Sequence, residues 1–229
     1  MIVLIVVTVT SIVTLFLRGF KFRDIENQVF GQEIKTPIMK VWLIEKAGYG
    51  NKMAAFKAGI GAAQSGLGVC VIKTDNQWRW VAGVYKTYDE AQKALSMNSV
   101  ALNLSIREYK IESKNFKISR DAVFLCQNVL DSAVSVFEIL LTLRDNVEEK
   151  LSTENLIMKL TTEYNQIKDN IQKLQDINAT LKSPLVASVI YIGNQNILSL
   201  QKIICGNNSY NLADLNTVLL NTLFSLDNF

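Results

Sequence analysis

The side chains that most often perform catalysis are scarce in this sequence. Its 229 residues include no histidine, which excludes Ser-His-Asp and Cys-His nucleophile systems, histidine-bearing zinc sites and an imidazole general base. The adjacent carboxylates Asp89–Glu90 and Glu148–Glu149 splay apart on a helix, so neither pair converges on one substrate bond. The run Gly59–Gly61 lacks the strand–turn–helix order and the lysine of a phosphate-binding loop. We therefore predict a protein that is not an enzyme and that uses no cofactor or metal.

The cysteines and the composition narrow the class of protein further. Cys70, Cys126 and Cys205 lie more than fifty residues apart and form no CxxC, and their number is odd, so neither a zinc cluster nor a disulfide framework follows. All three fall in apolar stretches and are predicted to be small buried hydrophobic residues. The chain is 49% apolar and 20% charged, which excludes extensive disorder. Its net charge of +3 is too small and too dispersed for a nucleic-acid-binding protein.

The middle of the chain contains an internal repeat at an offset of 36 residues, between positions 41 and about 111. Trp42 aligns with Trp78 and Tyr49 with Tyr85, and the segments that follow share an alanine–lysine pattern. Each half predicts a strand, a turn, a capped helix and a return strand. Two such halves predict a βαββαβ, ferredoxin-like domain, whose four-stranded antiparallel sheet carries two helices on one face.

Period-two alternation assigns the strand residues to the two faces of this predicted sheet. The residues predicted to face the helices are Trp42, Ile44, Trp78, Trp80, Ala82, Leu102, Leu104 and Ile106. The residues predicted to lie on the open face are Leu43, Glu45, Gln77, Arg79, Val81, Asn103, Ser105 and Arg107. Polar side chains set among flat apolar surface suit a carbohydrate or an extended polar chain. The alternative is a solvated face without a ligand, which antiparallel sheets often have.

Two stretches of this domain resemble the SPOR (sporulation-related repeat) family. Residues 44–51 (IEKAGYGN) resemble the family's opening pattern of an apolar residue, Gln, any residue, Gly and a later aromatic residue. Residues 78–85 (WRWVAGVY), with Glu90-Ala91 after them, resemble the second family stretch, aromatic-Arg-Val-x-Val-Gly-Pro-Phe with a later Glu-Ala. The resemblance covers about 70 residues, the whole middle domain, and the family fold is the same βαββαβ arrangement.

This resemblance implies binding to bacterial peptidoglycan, typically to glycan strands stripped of their stem peptides, at division or sporulation septa. It further implies that the open sheet face is the binding face. The expected glycan contacts are Glu45, Gly48, Gln77, Arg79 and Ser105. Glu45 stands where the family has Gln, which replaces an amide by a carboxylate. Two consequences are open at this point: Glu45 pairs with Arg79 and closes the site, or it accepts hydrogen bonds from sugar hydroxyls.

The segment Met1–Leu17 is uncharged and is followed by Arg18, Lys21 and Arg23. As a helix it would span about 26 Å, close to the ~30 Å hydrocarbon core of a bilayer, so we predict a single transmembrane anchor. The rival interpretation, a cleaved signal peptide, has no basic residues before the apolar run and no A-x-A site after it. The basic flank favours a cytoplasmic body by the positive-inside rule, whereas the resemblance to SPOR domains implies an extracytoplasmic one.

The last third of the chain is helical in pattern. An apolar stripe in residues 120–149 predicts a long helix, and three-four spacing predicts a second one after Ser152 or Thr153. Ser183 with Pro184 predicts the start of a third helix and Asn211 the cap of a fourth. Four helices with short connections predict a bundle, with a short coiled coil as an option for the second helix. The predicted organisation is an anchor at 1–18, a tether at 19–39, a SPOR-like domain at 40–112 and a helical domain at 119–229.

Two functional hypotheses follow from these observations. The first is a membrane-anchored, extracytoplasmic peptidoglycan-binding protein of sporulation or division, whose helical domain mediates self-association or recruits a partner. The second is a membrane-tethered structural adaptor, in which the ferredoxin-like and helical modules both bind protein. The motif spacing favours the first hypothesis, whereas the basic flank after the anchor and Glu45 favour the second.

Overall fold

The computed structural model describes residues 31–98, 103–205 and 210–227. These residues form six helices and two antiparallel sheets, which confirms the predicted α+β class. The predicted anchor at 1–18, together with Leu102, lies outside the described residues. The strands are β1 (Gln32–Lys35), β2 (Met39–Tyr49), β3 (Cys70–Thr74), β4 (Gln77–Tyr85), β5 (Ser105–Ile111) and β6 (Asn115–Ile118). The helices are α1 (Lys52–Ala62), α2 (Tyr88–Asn98), α3 (Arg120–Glu148), α4 (Glu154–Leu181), α5 (Pro184–Ile204) and α6 (Leu212–Asp227).

The larger sheet consists of four antiparallel strands in the order β3-β4-β2-β5. In chain order its elements are β2, α1, β3, β4, α2 and β5, the succession predicted from the internal repeat. Helices α1 and α2 pack against one face, where Ala55 and Ala91 are completely buried. The described residues predicted to face the helices all belong to this cluster, so their assignment is confirmed: Trp42, Ile44, Trp78, Trp80, Ala82, Leu104 and Ile106.

Helix α1 begins at a side-chain cap and lies very close to the sheet. The side chain of Asn51 accepts a hydrogen bond from the Ala54 N–H at 2.8 Å, as expected of an N-cap asparagine. A Cβ atom at Gly59 would lie 2.8 Å from Nε1 of Trp80. The same indole N–H donates to the carbonyl of Gly68 at 2.9 Å, which holds the ring in place. Glycine at position 59 therefore permits the close approach of α1 to the sheet.

The C-terminal half of the chain consists of helices α3 to α6, which pack against one another. Two predicted helix starts are confirmed: the Ser183 hydroxyl accepts from the Val186 N–H at 3.4 Å, and the Asn211 side chain accepts from the Asp214 N–H at 2.9 Å. The predicted stripe of α3 is buried in the larger core: Ala122, Cys126, Val129, Ala133, Phe137 and Leu140.

Among the described residues, one helix, α3, is long enough and apolar enough to cross a membrane. It contacts α4, α5 and α6, and its apolar residues belong to the core that these helices share. A long helix at the centre of a packed helical domain has the same length and composition, so the packing of α3 accounts for its apolar character.

The second face of the four-stranded sheet is covered, so the prediction of an open face is wrong for its central part. Leu43 and Val81 lie on this face as predicted, but both are 0% exposed within the core of the helical half. Helix α6 contacts β4 and β3, and the Thr217 hydroxyl accepts a hydrogen bond from the Val69 N–H at 2.9 Å. The physical reason is hydrophobic: the apolar residues of the sheet and the apolar side of α6 both leave water when the two surfaces meet.

A second sheet of two strands was not predicted. Strand β1 pairs antiparallel with β6, with Gln32 opposite Ile118. Ile34 and Ile118 are each 1% exposed and join the core of the helical half, and β1 contacts α3. The C-terminal end of the predicted tether at 19–39 is therefore part of the packed body.

Candidate binding site at the end of the sheet

A buried carboxylate joins two arginines at one end of the four-stranded sheet. Oε1 of Glu45 lies 2.5 Å from Nη1 of Arg79 and 2.9 Å from Nε of Arg107. Only 2% of the Glu45 side chain is exposed, compared with 14% for Arg79 and 28% for Arg107. The carboxylate therefore lies beneath the two guanidinium groups, which separate it from solvent.

The strand order explains why these three side chains meet. Glu45 is on the central strand β2, between β4, which carries Arg79, and β5, which carries Arg107. The β2–β4 register shifts between Ile44 and Glu45, so that Glu45 is opposite Val81. A bulge of this kind changes the local twist and direction of the side chains. On the other side Glu45 is opposite Ser105, two residues from Arg107 on the same face.

The cluster keeps hydrogen-bonding capacity that its own contacts do not use. Within the part of the chain that the structure describes, Oε2 of Glu45, Nε of Arg79 and Nη2 of Arg107 are buried and have no hydrogen-bond partner. Buried polar atoms without partners are unfavourable, and they are candidates for contact with a ligand or solvent molecule. Asp75, which is 79% exposed, lies 3.3 Å from Nη2 of Arg79. Two arginines and two carboxylates leave the cluster without net charge.

The five site residues predicted from the sequence separate into an inner and an outer set. Glu45, Arg79 and Ser105 come together: the Ser105 hydroxyl donates to the backbone carbonyl of Glu45 at 3.3 Å. The pairing alternative for Glu45 is thus the one observed, and the carboxylate positions Arg79 rather than facing solvent. Gly48 and Gln77 are exposed: Gly48 lies on β2, the strand of Glu45, and Gln77 lies on β4, the strand of Arg79. Gly48 has a φ of +87°, a backbone conformation that favours glycine.

The C-terminal end of α6 adjoins the arginine cluster. The hydroxyl of Tyr109 on β5 donates to the Asp227 carboxylate, and its ring meets Phe224 edge-on with centroids 5.4 Å apart. The guanidinium of Arg107 lies 5.4 Å from the centroid of the same Tyr109 ring. Burial first, and then the Asp227 hydrogen bond, raise the pKa of Tyr109 well above its ordinary value. Tyr109 thus connects the helix that covers the sheet with one of the two arginines.

A second polar feature, between the sheet and the helical half, was missed in the sequence. Arg144 on α3 is 2% exposed, lies 4.5 Å from the centroid of the Tyr85 ring and donates to the carbonyl of Val84. It borders a cleft of about 670 Å³ that Met97 and Asn216 also line. The sequence did contain a signal for this residue. Arg144 follows Leu140 by four residues and so continues the apolar stripe of α3, and a charged side chain in such a stripe needs buried partners.

The cysteines show no arrangement for redox or metal chemistry in the described part of the chain. Burial raises the pKa of the Cys70 and Cys126 thiols to about 12, so both are protonated at neutral pH. Cys126 is buried, as predicted. The prediction of burial is wrong for Cys205, which is exposed, and holds only in part for Cys70, which is of intermediate exposure. Within residues 31–98, 103–205 and 210–227, no three His, Cys, Asp or Glu side chains form a group that could hold a metal ion.

Comparison with protein-family models gives no match, and comparisons with curated proteins and with solved structures give no significant match.

Proposed function

We propose that this chain is a membrane-anchored, non-catalytic protein that binds peptidoglycan, specifically septal glycan strands, in bacterial sporulation or cell division. In this proposal residues 40–112 are a ferredoxin-like SPOR domain, and residues 1–18 hold the body at the outer side of the cell membrane. The observation that carries the proposal is the arginine cluster: Arg79 and Arg107 share one buried carboxylate, Glu45, at the end of the sheet. This is the region in which the motif spacing predicts glycan contacts.

The chemistry of the cluster suits a glycan strand that has lost its stem peptides. Removal of a stem peptide by an amidase leaves a free carboxylate on the sugar, and guanidinium groups bind carboxylates through paired hydrogen bonds. The side chains of Arg107 and Arg79 are 28% and 14% exposed, so both are accessible in part to such a group. The cluster has no net charge, so the anionic stripped strand meets no general repulsion there, and the guanidinium groups are available for its carboxylates.

The covered sheet limits where the glycan lies. The apolar centre of the second face, with Leu43 and Val81, is occupied by the helical half. The proposed contacts are therefore restricted to the end of the sheet, where Gly48, Gln77 and Ser105 are exposed. Glu45 acts as a positioning residue, because its side chain is 2% exposed.

Co-sedimentation of the full chain in mild detergent with amidase-treated sacculi tests this proposal. Arg107→Ala removes a charge-assisted contact worth about 1.5–3 kcal/mol, so we expect at least a tenfold rise in the dissociation constant. Lys168→Ala is the matched control, because Lys168 is exposed on α4 and carries the same charge. Equal binding by the wild type and both variants would refute the role of the arginine cluster.

A second candidate function, a membrane-tethered structural adaptor, is favoured by the covered face. In that case the sheet and helices α3 to α6 act as one body that binds protein partners, either another copy or a different protein. The support for this alternative is that Leu43, Val81 and the Glu45 side chain are removed from solvent by other parts of the same chain. It predicts no pelleting of the wild type with either intact or amidase-treated sacculi.

A further inference from the structure

Helix α1 places small residues inside and large apolar residues outside, the reverse of an ordinary surface helix. The helix buries Ala55, Gly59 and Ala62 against the sheet. Its large apolar side chains point outward: Met53 is 60%, Phe56 43% and Ile60 53% exposed. These three residues have the spacing i, i+3 and i+7, so they share one face of the helix. The close approach of Trp80 explains the glycine at position 59, but packing against the sheet does not explain the exposed apolar face.

The stretch of sequence that contains this helix carries only basic charges. Between positions 46 and 74 the chain contains four lysines and no Asp or Glu. Lys52 and Lys57 are exposed on α1 itself. Neither forms an ion pair with a carboxylate of the residues that the structure describes. A short helix that presents large apolar residues together with lysines has the composition of helices that lie in the interface of an anionic bilayer.

The chain that precedes the described residues restricts the body to the vicinity of a membrane. The uncharged run Met1–Leu17 is the anchor of the proposed function, and this inference rests on it. Thirteen residues, 18–30, separate that run from the first described residue, and a fully extended chain of this length reaches at most about 45 Å. A body tethered so closely meets the bilayer surface at a high effective concentration, which makes even a small apolar and basic face sufficient for contact.

We propose that the outer face of α1, formed by Met53, Phe56 and Ile60 with Lys52 and Lys57, lies on the surface of an anionic bilayer. The apolar side chains enter the boundary between headgroups and acyl chains, and the lysines contact anionic headgroups. The contact orients the body on the membrane in addition to tethering it.

An environment-sensitive fluorophore on the helix tests the contact in the full chain. In a Cys205→Ser background, Ile60→Cys is labelled with NBD and the protein is reconstituted in vesicles of 70% phosphatidylcholine and 30% phosphatidylglycerol. Leu198→Cys is the matched control, since Leu198 is 57% exposed on α5 and Ile60 is 53% exposed. Brominated acyl chains are expected to quench the probe at 60 at least twofold more than the probe at 198. Lys52→Glu with Lys57→Glu is expected to abolish the difference.

Three results would overturn the inference. Equal quenching at positions 60 and 198 would show that α1 does not touch lipid. A blue-shifted probe at 60 without quenching would instead indicate contact with protein, such as a second copy. Flotation of the vesicles reports on the anchor separately: a chain that does not float refutes both the anchor and this inference, whereas a chain that floats with an unquenched probe at 60 refutes the α1 contact alone.

Discussion

Replacing Gly59 by alanine tests whether α1 is held against the sheet as closely as the structure shows. In the middle of a helix, alanine is favoured over glycine by up to about 1 kcal/mol. Here the added Cβ would lie 2.8 Å from Nε1 and 2.9 Å from Cδ1 of Trp80, and 3.0 Å from Cγ1 of Val69. Trp80 is 1% exposed and bonded to the Gly68 carbonyl, so the ring cannot move without losing that bond.

The two effects oppose each other, and the steric effect is larger. Overpacking costs about 1–3 kcal/mol, and disturbing a buried hydrogen bond adds about 1 kcal/mol. After subtraction of the helical gain, Gly59→Ala is expected to lower the free energy of unfolding by about 1–3 kcal/mol. For a chain of this size, each 1 kcal/mol corresponds to about 2–4 °C in Tm.

The assay is thermal and urea unfolding of the full chain in mild detergent, followed by circular dichroism and tryptophan fluorescence. Gly61→Ala is the control on the same helix, because nothing lies within 4 Å of a Cβ atom at that position. It is expected to leave stability unchanged or raise it by up to about 1 kcal/mol. If Gly59→Ala and Gly61→Ala agree within about 0.5 kcal/mol, the argument for close packing at Gly59 is wrong.

Further predictions concern the buried charges and the thiols. Glu45→Ala is expected to lower the free energy of unfolding, measured by urea titration, by about 2–4 kcal/mol. Glu45→Gln is expected to lower it by less, because the amide oxygen still accepts a hydrogen bond. Equal free energies of unfolding for the two variants and the wild type would contradict this. Arg144→Leu leaves the carbonyl of Val84 without this donor and is expected to lower the free energy of unfolding by about 1–3 kcal/mol in the same titration. An unchanged urea midpoint would contradict this prediction. Iodoacetamide at pH 8 is expected to modify the exposed Cys205 quickly, and to modify Cys70 and Cys126 slowly because the pKa of both thiols is raised. Peptide mass spectrometry measures the three rates, and equally rapid modification of all three would refute the protection of Cys70 and Cys126. Folding raises the pKa of Cys70 and Cys126 from about 9 to about 12, so between these values the native state keeps protons that the unfolded state loses. The contribution of the two thiols to the free energy of unfolding is therefore complete below pH 9 and declines between pH 9 and 12.

The arrangement of the four-stranded sheet could be predicted from the sequence because its signals are local. Period-two alternation placed Trp80 and Leu43 on opposite faces, and the structure agrees. Helix starts at Ser183 and Asn211 were predictable for the same reason, since each depends on one side chain and the next turn.

The burial of the second face could not be predicted, because apolar patterns show which residues are buried but not what covers them. Helix α6 was predicted from its cap, Asn211, whereas its contact with β3 and β4 depends on the three-dimensional path of the chain. Strand β1 has only four residues, too few for a reliable alternation. The role of Arg107 also depended on tertiary structure. The residue was assigned to the correct face, but the placement of β2 between β4 and β5 determines that both arginines reach one carboxylate oxygen.

The most direct test of peptidoglycan recognition is the affinity of the unmodified full chain for intact and for amidase-treated sacculi, measured side by side by co-sedimentation. The arginine cluster predicts a dissociation constant at least about tenfold lower for the amidase-treated material, because stripped strands expose the carboxylates that Arg79 and Arg107 would bind. Equal affinity for the two materials would contradict recognition of stripped strands by the arginine cluster. No pelleting with either material would contradict peptidoglycan binding altogether and favour the protein adaptor.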